Sequence, residues 1–207
     1  NDHFKQQISK SDVIHTYSGV RPLLEDESSD PQAVTRDYTL EIQSESGQAP
    51  ILSVFGGKIT TYRKLAEAAV NQLNEFFPEM NSAWTKQAKL PGGDFESKDQ
   101  LFDDLSVLFP FLPESLLLRY VRTYGTLSYQ ILEGVNSIAD LGLLFGADLY
   151  QAEVKYLLNQ EWATNVEDIL WRRTKLGLRL NKQQVEALQN YLSTSGQNEI
   201  DNNTQAA

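Results

Sequence analysis

The residues whose types and spacing best suit chemistry lie in Val54-Phe55-Gly56-Gly57-Lys58-Ile59-Thr60-Thr61. An apolar strand-like run, two glycines and the start of a helical pattern make a receptor for negative charge. The glycines allow close backbone approach to a ligand, and a helix start offers unpaired N–H groups with positive potential. Lys58 adds a full charge at that point, and Thr60 or Thr61 can cap the helix. The same pattern also serves as a plain strand-to-helix connection with a solvent-exposed lysine. It is not a G-x-x-x-x-G-K-[ST] phosphate loop, because Leu52 stands where the first glycine is required.

Two arginines extend this constellation. Arg21 follows a Ser18-Gly19 turn, and Arg36 opens a strand-like run. Guanidinium binds phosphate or carboxylate bidentately, and side chains at strand ends converge on a ligand. The alternative is an ion pair with the acidic loop Glu25-Asp26-Glu27-Ser28-Ser29-Asp30. That loop lacks the glycine and distal glutamate of an EF-hand, so it reads as solvated rather than calcium-binding. His15, inside a strand-like run beside a tyrosine, reads as a structural or surface histidine. Arg172, Arg173, Lys175 and Arg179 form a basic cluster, open between a contact role and a solvated helix face. Trp84, Trp162 and Trp171 are expected to pack helices together.

The elements that must position these residues change character along the chain. Val13-Ile14-His15-Thr16-Tyr17 and Arg36-Asp37-Tyr38-Thr39-Leu40-Glu41-Ile42 read as strands, the second with Tyr38, Leu40 and Ile42 on one face. Ile51-Leu52-Ser53-Val54-Phe55 reads as a strand buried on both faces. A helix over about Thr60–Phe77 follows, with Leu65, Ala69, Leu73 and Phe76 as its apolar stripe. Leu90-Pro91-Gly92-Gly93 is the best domain boundary. Beyond it the period is helical. One stripe runs through Leu101, Leu105 and Leu108; a second, between Pro113 and Gly125, through Leu117, Tyr120, Val121 and Tyr124. A third runs through Tyr150, Val154, Leu157 and Leu158. Thr164 with Glu167 resembles a capping box, and Asn181 suits the N-cap of a last helix. The run from Gly196 onward has nothing to bury and is expected to lack order.

Composition narrows the function classes. The 207 residues carry a net charge of −10, so the chain repels nucleic acid and is expected to have no nucleic-acid partner. With no cysteine and two histidines, thiolate chemistry and a histidine-rich metal cluster are excluded, and no metal site is expected. No run approaches the roughly 20 apolar residues of a membrane-spanning helix. The beginning, Asn1-Asp2-His3-Phe4-Lys5, reads as mid-domain rather than as a signal peptide.

Three blocks in order and at their spacing carry a family resemblance: Tyr17-Ser18-Gly19-Val20-Arg21-Pro22-Leu23, Thr35-Arg36-Asp37-Tyr38, and Leu52 through Ala66. With Trp84-Thr85, Leu90-Pro91-Gly92-Gly93, Tyr120 through Gly125 and Leu170 through Lys175, the chain resembles bacterial aerobic, flavin-dependent glycerol-3-phosphate dehydrogenases from about Asp12 to Leu192. The resemblance implies oxidation of sn-glycerol 3-phosphate to dihydroxyacetone phosphate, with hydride passing to FAD and electrons to quinone. It implies that Arg21 and Arg36 hold the substrate phosphate, and that Gly56, Gly57, Lys58, Ile59 and Thr60 line the flavin. Lys58 then serves flavin electrostatics. A possible homo-oligomer and peripheral association with the inner, cytoplasmic face of the membrane are also implied.

The expected fold is α+β. Residues 1–90 are a piece of a flavin-oxidoreductase catalytic domain with few strands and one helix; residues 91–195 are an all-helical C-terminal domain; residues 196–207 are a disordered tail. The family's N-terminal G-x-G-x-x-G turn is not in this chain, so the fragment alone is expected to be inactive. The rival reading takes residues 91–195 as a helical interaction or dimerisation module of a related flavin oxidase.

Overall fold

The computed structural model describes residues 5–20, 37–45 and 48–205, with side chains described as far as residue 194. The chain divides into two compact units, one of Thr16–Ala88 and one of Asn1–His15 with Lys89–Ala207. The mixed α+β class is as expected; the two units divide in sequence at His15–Thr16 and at Ala88–Lys89.

The smaller unit is a two-stranded antiparallel sheet with one helix. Strand β1, Tyr38–Gln43, pairs with β2, Ile51–Gly56, so that Tyr38 faces Gly56 and Gln43 faces Ile51. Tyr38, Leu40 and Ile42 are half-buried while Thr39 and Glu41 are exposed, which is the predicted alternation. β2 departs from expectation: Ile51, Val54 and Phe55 are exposed. Within this unit one helix and two strands can cover only one sheet face. The strand expected at Val13–Tyr17 is also absent. A short 3₁₀ turn, Lys10–Asp12, leads into extended coil in which Ile14 is 79% and Tyr17 94% exposed. Strand conformation needs a ladder partner, and none stands beside this run among the described residues.

The helix after β2 starts as a 3₁₀ turn, Ile59–Thr61, and continues as α1, Tyr62–Gln72. It ends before Phe77 because the hydrogen bonds tighten to three-residue spacing, from Leu73 N–H to Val70 and from Phe76 N–H to Leu73. Its half-buried stripe is the predicted Leu65, Ala69, Leu73 and Phe76. Arg63 bonds Glu67 at 2.9 Å and Thr85 at 3.2 Å, and Thr85 donates to Glu67, tying the later segment back to α1.

The larger unit holds the core. Its helices are α2 (Lys98–Leu108), α3 (Glu114–Tyr124), α4 (Ser128–Ile131), α5 (Gln151–Gln160), a π-helical turn (Asp168–Arg173) and α6 (Lys182–Gln205). Leu101, Leu105, Leu117, Tyr120, Val121, Tyr124, Val154 and Leu157 are all buried in one cluster, as their spacing predicted; Leu108 is exposed. Ser97 caps α2, accepting from Gln100 N–H at 3.1 Å. The Asn181 cap is reciprocal: Gln184 N–H donates to Asn181 Oδ1 at 3.0 Å and Asn181 N–H to Gln184 Oε1 at 2.9 Å. The cap expected of Thr164 with Glu167 uses Asp168 instead, whose carboxylate accepts from the Thr164 N–H and hydroxyl. α6 continues to Gln205, through residues expected to lack order; a nucleated helix extends at one hydrogen bond per residue fixed.

Two features were not foreseen. The unit is not all-helical, because Leu144–Gly146 (β3) and Leu149–Tyr150 (β4) form a hairpin. Its two-residue turn puts Ala147 at φ 48° and Asp148 at φ 62°, a conformation that costs a side-chain-bearing residue energy. Arg119 holds it by donating to the Asp148 carbonyl at 2.7 Å. The second is a backbone-to-backbone approach of Gly92 and Gly125. Thr126 N–H donates to the Gly92 carbonyl at 3.0 Å, and a Cβ on Gly125, at φ +57°, would lie 1.9 Å from that oxygen. The boundary tetrapeptide is therefore locked to the end of α3.

Candidate functional site

The turn after β2 has the strained backbone its glycines permit, with Gly56 at φ 71° and Gly57 at φ 100°. A Cβ on Gly57 would meet Leu65 Cδ1 at 2.8 Å, a side-chain end that can move aside, so it is the φ that disfavours a side chain here. Lys58 follows in extended conformation, and its carbonyl accepts from the Thr61 N–H at 3.0 Å and hydroxyl at 3.1 Å. Thr61 thus braces the turn as a donor; neither Thr60 nor Thr61 caps the helix through an acceptor oxygen.

Lys58 Nζ stands 3.5 Å from Asp37 Oδ1, both side chains well exposed. Such a pair contributes little, and the cation can turn to a ligand at small cost. Around it Phe55, Ile59 and Tyr62 are exposed apolar side chains, Ile59 at 88%. A cation and exposed apolar side chains therefore lie within a few residues of the two glycines. Gly56, Gly57, Lys58, Ile59 and Thr60 are contiguous here. Arg21 and Arg36 lie outside the described residues. Asp37, the chain neighbour of Arg36, is beside Lys58 because the β1–β2 register sets Tyr38 opposite Gly56.

Other sequence candidates have different roles. Trp84 and Trp162 are exposed, so they do not pack helices. Trp171 is half-buried and stacks on His15, ring centroids 3.8 Å apart and planes 7° apart. In the basic cluster Arg172 pairs with Asp168 at 2.9 Å, Arg173 Nε donates to the Glu161 carbonyl at 2.9 Å, and Lys175 donates to the Trp171 carbonyl.

Sequence reasoning missed a buried ionic network. Glu153 on α5 is fully buried and accepts from both terminal nitrogens of Arg119, 34 residues away on α3, at 2.6 Å each. The Tyr124 hydroxyl donates to the same carboxylate at 2.6 Å. Burial and then the Glu153 charge push the Tyr120 and Tyr124 phenols well above the ordinary range. Burial alone disfavours the Arg119 charge, but the Glu153 carboxylate overrides it and raises the guanidinium. One signal was available: Glu153 falls on the helical stripe of Tyr150, Val154 and Leu157, where a charge needs a partner. Its oxygens are occupied by Arg119 and Tyr124, so it holds α3 to α5.

Comparison with known proteins gives a consistent pattern. A family model described as the C-terminal domain of alpha-glycerophosphate oxidase matches residues 83–198. A glycerol-3-phosphate dehydrogenase of Pseudomonas aeruginosa is 51% identical over 195 residues, 94% of this chain and 38% of that protein. The aerobic glycerol-3-phosphate dehydrogenase of Escherichia coli is 51% identical over 193 residues, covering 93% of this chain and 38% of that protein. A D-erythritol 1-phosphate dehydrogenase of Brucella abortus is 44% identical over 184 residues, 88% of this chain and 36% of that protein. The chain thus spans less than two-fifths of the length of these relatives, in their C-terminal part.

Proposed function

This chain belongs to the family of the C-terminal domain of alpha-glycerophosphate oxidase, and from that premise we propose that it is the C-terminal part of a flavin-dependent glycerol-3-phosphate dehydrogenase. The reaction is oxidation of sn-glycerol 3-phosphate to dihydroxyacetone phosphate. FAD, when bound, supplies the hydride acceptor, with quinone taking the electrons onward. The intact enzyme sits peripherally on the cytoplasmic face of the membrane; no helix among the described residues is long and apolar enough to cross one. A homo-oligomer completes the proposal, with residues 1–90 as the catalytic piece and residues 91–195 as the helical domain.

The observation that carries this reading is the turn at Gly57. Its φ of 100° favours a bare backbone, beside Lys58 and the exposed ring of Phe55 and side chain of Ile59. These residues fit a flavin: Gly56, Gly57, Ile59 and Thr60 would hold its flat ring by backbone and apolar contact. Lys58 places a cation where that ligand gains negative charge. Arg21 and Arg36 offset the charge of the substrate phosphate and fix the carbon to be oxidised.

The test is Arg21→Ala and Arg36→Ala in the intact enzyme. Removing one desolvated bidentate partner costs about 2–5 kcal/mol, so kcat/KM for sn-glycerol 3-phosphate falls by roughly 30-fold or more while flavin content stays near parental. Glycerol, lacking the phosphate, is a poor substrate for the parent and little changed in either variant. Parental kcat/KM in both variants would remove the arginines from the phosphate site.

A further inference from the structure

A cavity of about 440 Å³ in the helical unit runs along α5, walled on its other side by the end of α4 and the chain from there to Gly142. That volume lies in the range of small-ligand pockets. Gln151, Lys155 and Asn159, four residues apart, line it from α5, so one helix face is given to the cavity. The other face carries Glu153, Val154 and Leu157 into the core. The floor is apolar: Ile131, Val135, Leu141 and Tyr156 line the cavity and are all buried.

The polar groups around this floor fall into two sets. Three are committed to the fold. Asp140 accepts from the Asn136 N–H at 2.9 Å and from the Ser137 N–H and hydroxyl at 2.8 and 3.0 Å. Gln151 accepts from the Leu143 N–H and donates to the Tyr191 hydroxyl, both at 3.2 Å, and the Tyr156 hydroxyl donates to Glu161 at 3.3 Å. The side chains of Gln130, Glu133, Lys155, Asn159 and Gln160 have no hydrogen-bond or ion-pair partner among the described residues. Glu133 and Lys155 thus bring opposite charges to one cavity without pairing with each other.

These charges select a ligand class. Two carboxylates, Glu133 and Asp140, stand against one ammonium, Lys155, so the walls disfavour a phosphate ester or any plain anion. Lys155 in turn disfavours a plain cation. A molecule carrying both charges meets neither objection, and the apolar floor suits an apolar side chain. We propose that this cavity binds a zwitterion, an α-amino acid with an apolar side chain. Lys155 takes its carboxylate, Glu133 its ammonium, and Ile131, Val135, Leu141 and the Tyr156 ring its side chain. The amides of Gln130, Asn159 and Gln160 are donors and acceptors at the rim. The site gives the helical domain a ligand of its own, and it stands apart from the flavin turn and the arginines of the proposed reaction.

The test titrates L-leucine and L-phenylalanine into the 207-residue chain by isothermal calorimetry, with saturation-transfer NMR as a second readout. Binding with a Kd on the order of 1 mM or tighter is expected for at least one of them. Isocaproate, which is leucine without the ammonium, and isoamylamine, which is leucine without the carboxylate, each bind about tenfold more weakly than L-leucine or worse. Lys155→Met and Glu133→Gln each raise the amino-acid Kd roughly tenfold, the worth of one charge-assisted hydrogen bond at a part-solvated site. Both side chains are exposed and without partners in the fold, so both variants keep the parental Tm. sn-Glycerol 3-phosphate, an anion, does not compete. Neither heat nor saturation transfer from either amino acid at about 10 mM overturns the site. So does isocaproate binding as well as L-leucine, or either variant keeping the parental Kd. Competition by sn-glycerol 3-phosphate overturns the choice of a zwitterion.

Discussion

Replacing Glu153 with alanine is the perturbation whose size the structure fixes best. The carboxylate is 0% exposed and receives three hydrogen bonds of 2.6 Å, two from Arg119 and one from Tyr124. Its removal leaves the Arg119 guanidinium, only 15% exposed, with the Asp148 carbonyl as its remaining hydrogen-bond acceptor. The Tyr124 hydroxyl loses its acceptor as well. Breaking one side of a buried pair costs about 3–5 kcal/mol, mostly from the stranded charge. For a unit of this size that is a fall in Tm of well over ~10 °C. Urea unfolding followed by far-UV circular dichroism measures it. The double change Arg119→Met/Glu153→Leu removes both charges and keeps the volume, so it is expected to recover much of the loss, the stranded Tyr124 hydroxyl being the main remaining cost. A Glu153→Ala loss below ~1 kcal/mol, or a double variant as weak as the single one, refutes the account of a desolvated pair.

Gly125→Ala places a Cβ against the Gly92 carbonyl at 1.9 Å and at positive φ, so a loss on the order of 3 kcal/mol or more is expected in the same unfolding assay. Gly134→Ala, at φ 73° with open space around it, carries only the backbone strain and serves as the control. In the intact enzyme, Lys58→Met keeps the apolar stem and removes the charge. About 1–2 kcal/mol of lost stabilisation of a reduced, anionic flavin corresponds to a midpoint lower by on the order of 20–45 mV, with KM for substrate little changed. An unchanged potential with a large rise in KM would move Lys58 to the phosphate. Asp140 and Asp168 are held below the ordinary aspartate value, chiefly by the Asn136 and Thr164 backbone N–H groups respectively. Because the folded values are depressed, this stability is fully present above about pH 4 and is lost as pH falls through the folded values. Asp140→Asn accordingly flattens the acid limb of urea midpoint against pH, and an unaltered limb would remove that carboxylate from the account.

What the amino-acid sequence by itself determined is local. The alternation at Tyr38, Leu40 and Ile42, the stripe through Leu117, Tyr120, Val121 and Tyr124, the Pro113 and Gly125 ends and the Asn181 cap all depend on neighbours within a few residues. So does the Gly56-Gly57-Lys58 turn, whose positive φ values its residue types announce. Tertiary structure decided what distant partners control. Val13–Tyr17 has strand-forming residues, yet strand needs a ladder and no described segment supplies one. Ala147-Asp148 is poor turn chemistry on paper, and the hairpin stands with Arg119, 29 residues away, bonded to the Asp148 carbonyl. Arg119 and Glu153 read separately as charges on two helices, and only the packing of α3 on α5 makes them a buried pair. Gly92 and Gly125 read as a boundary and a helix stop; that they touch is a fact about two backbones, and no periodicity carries it.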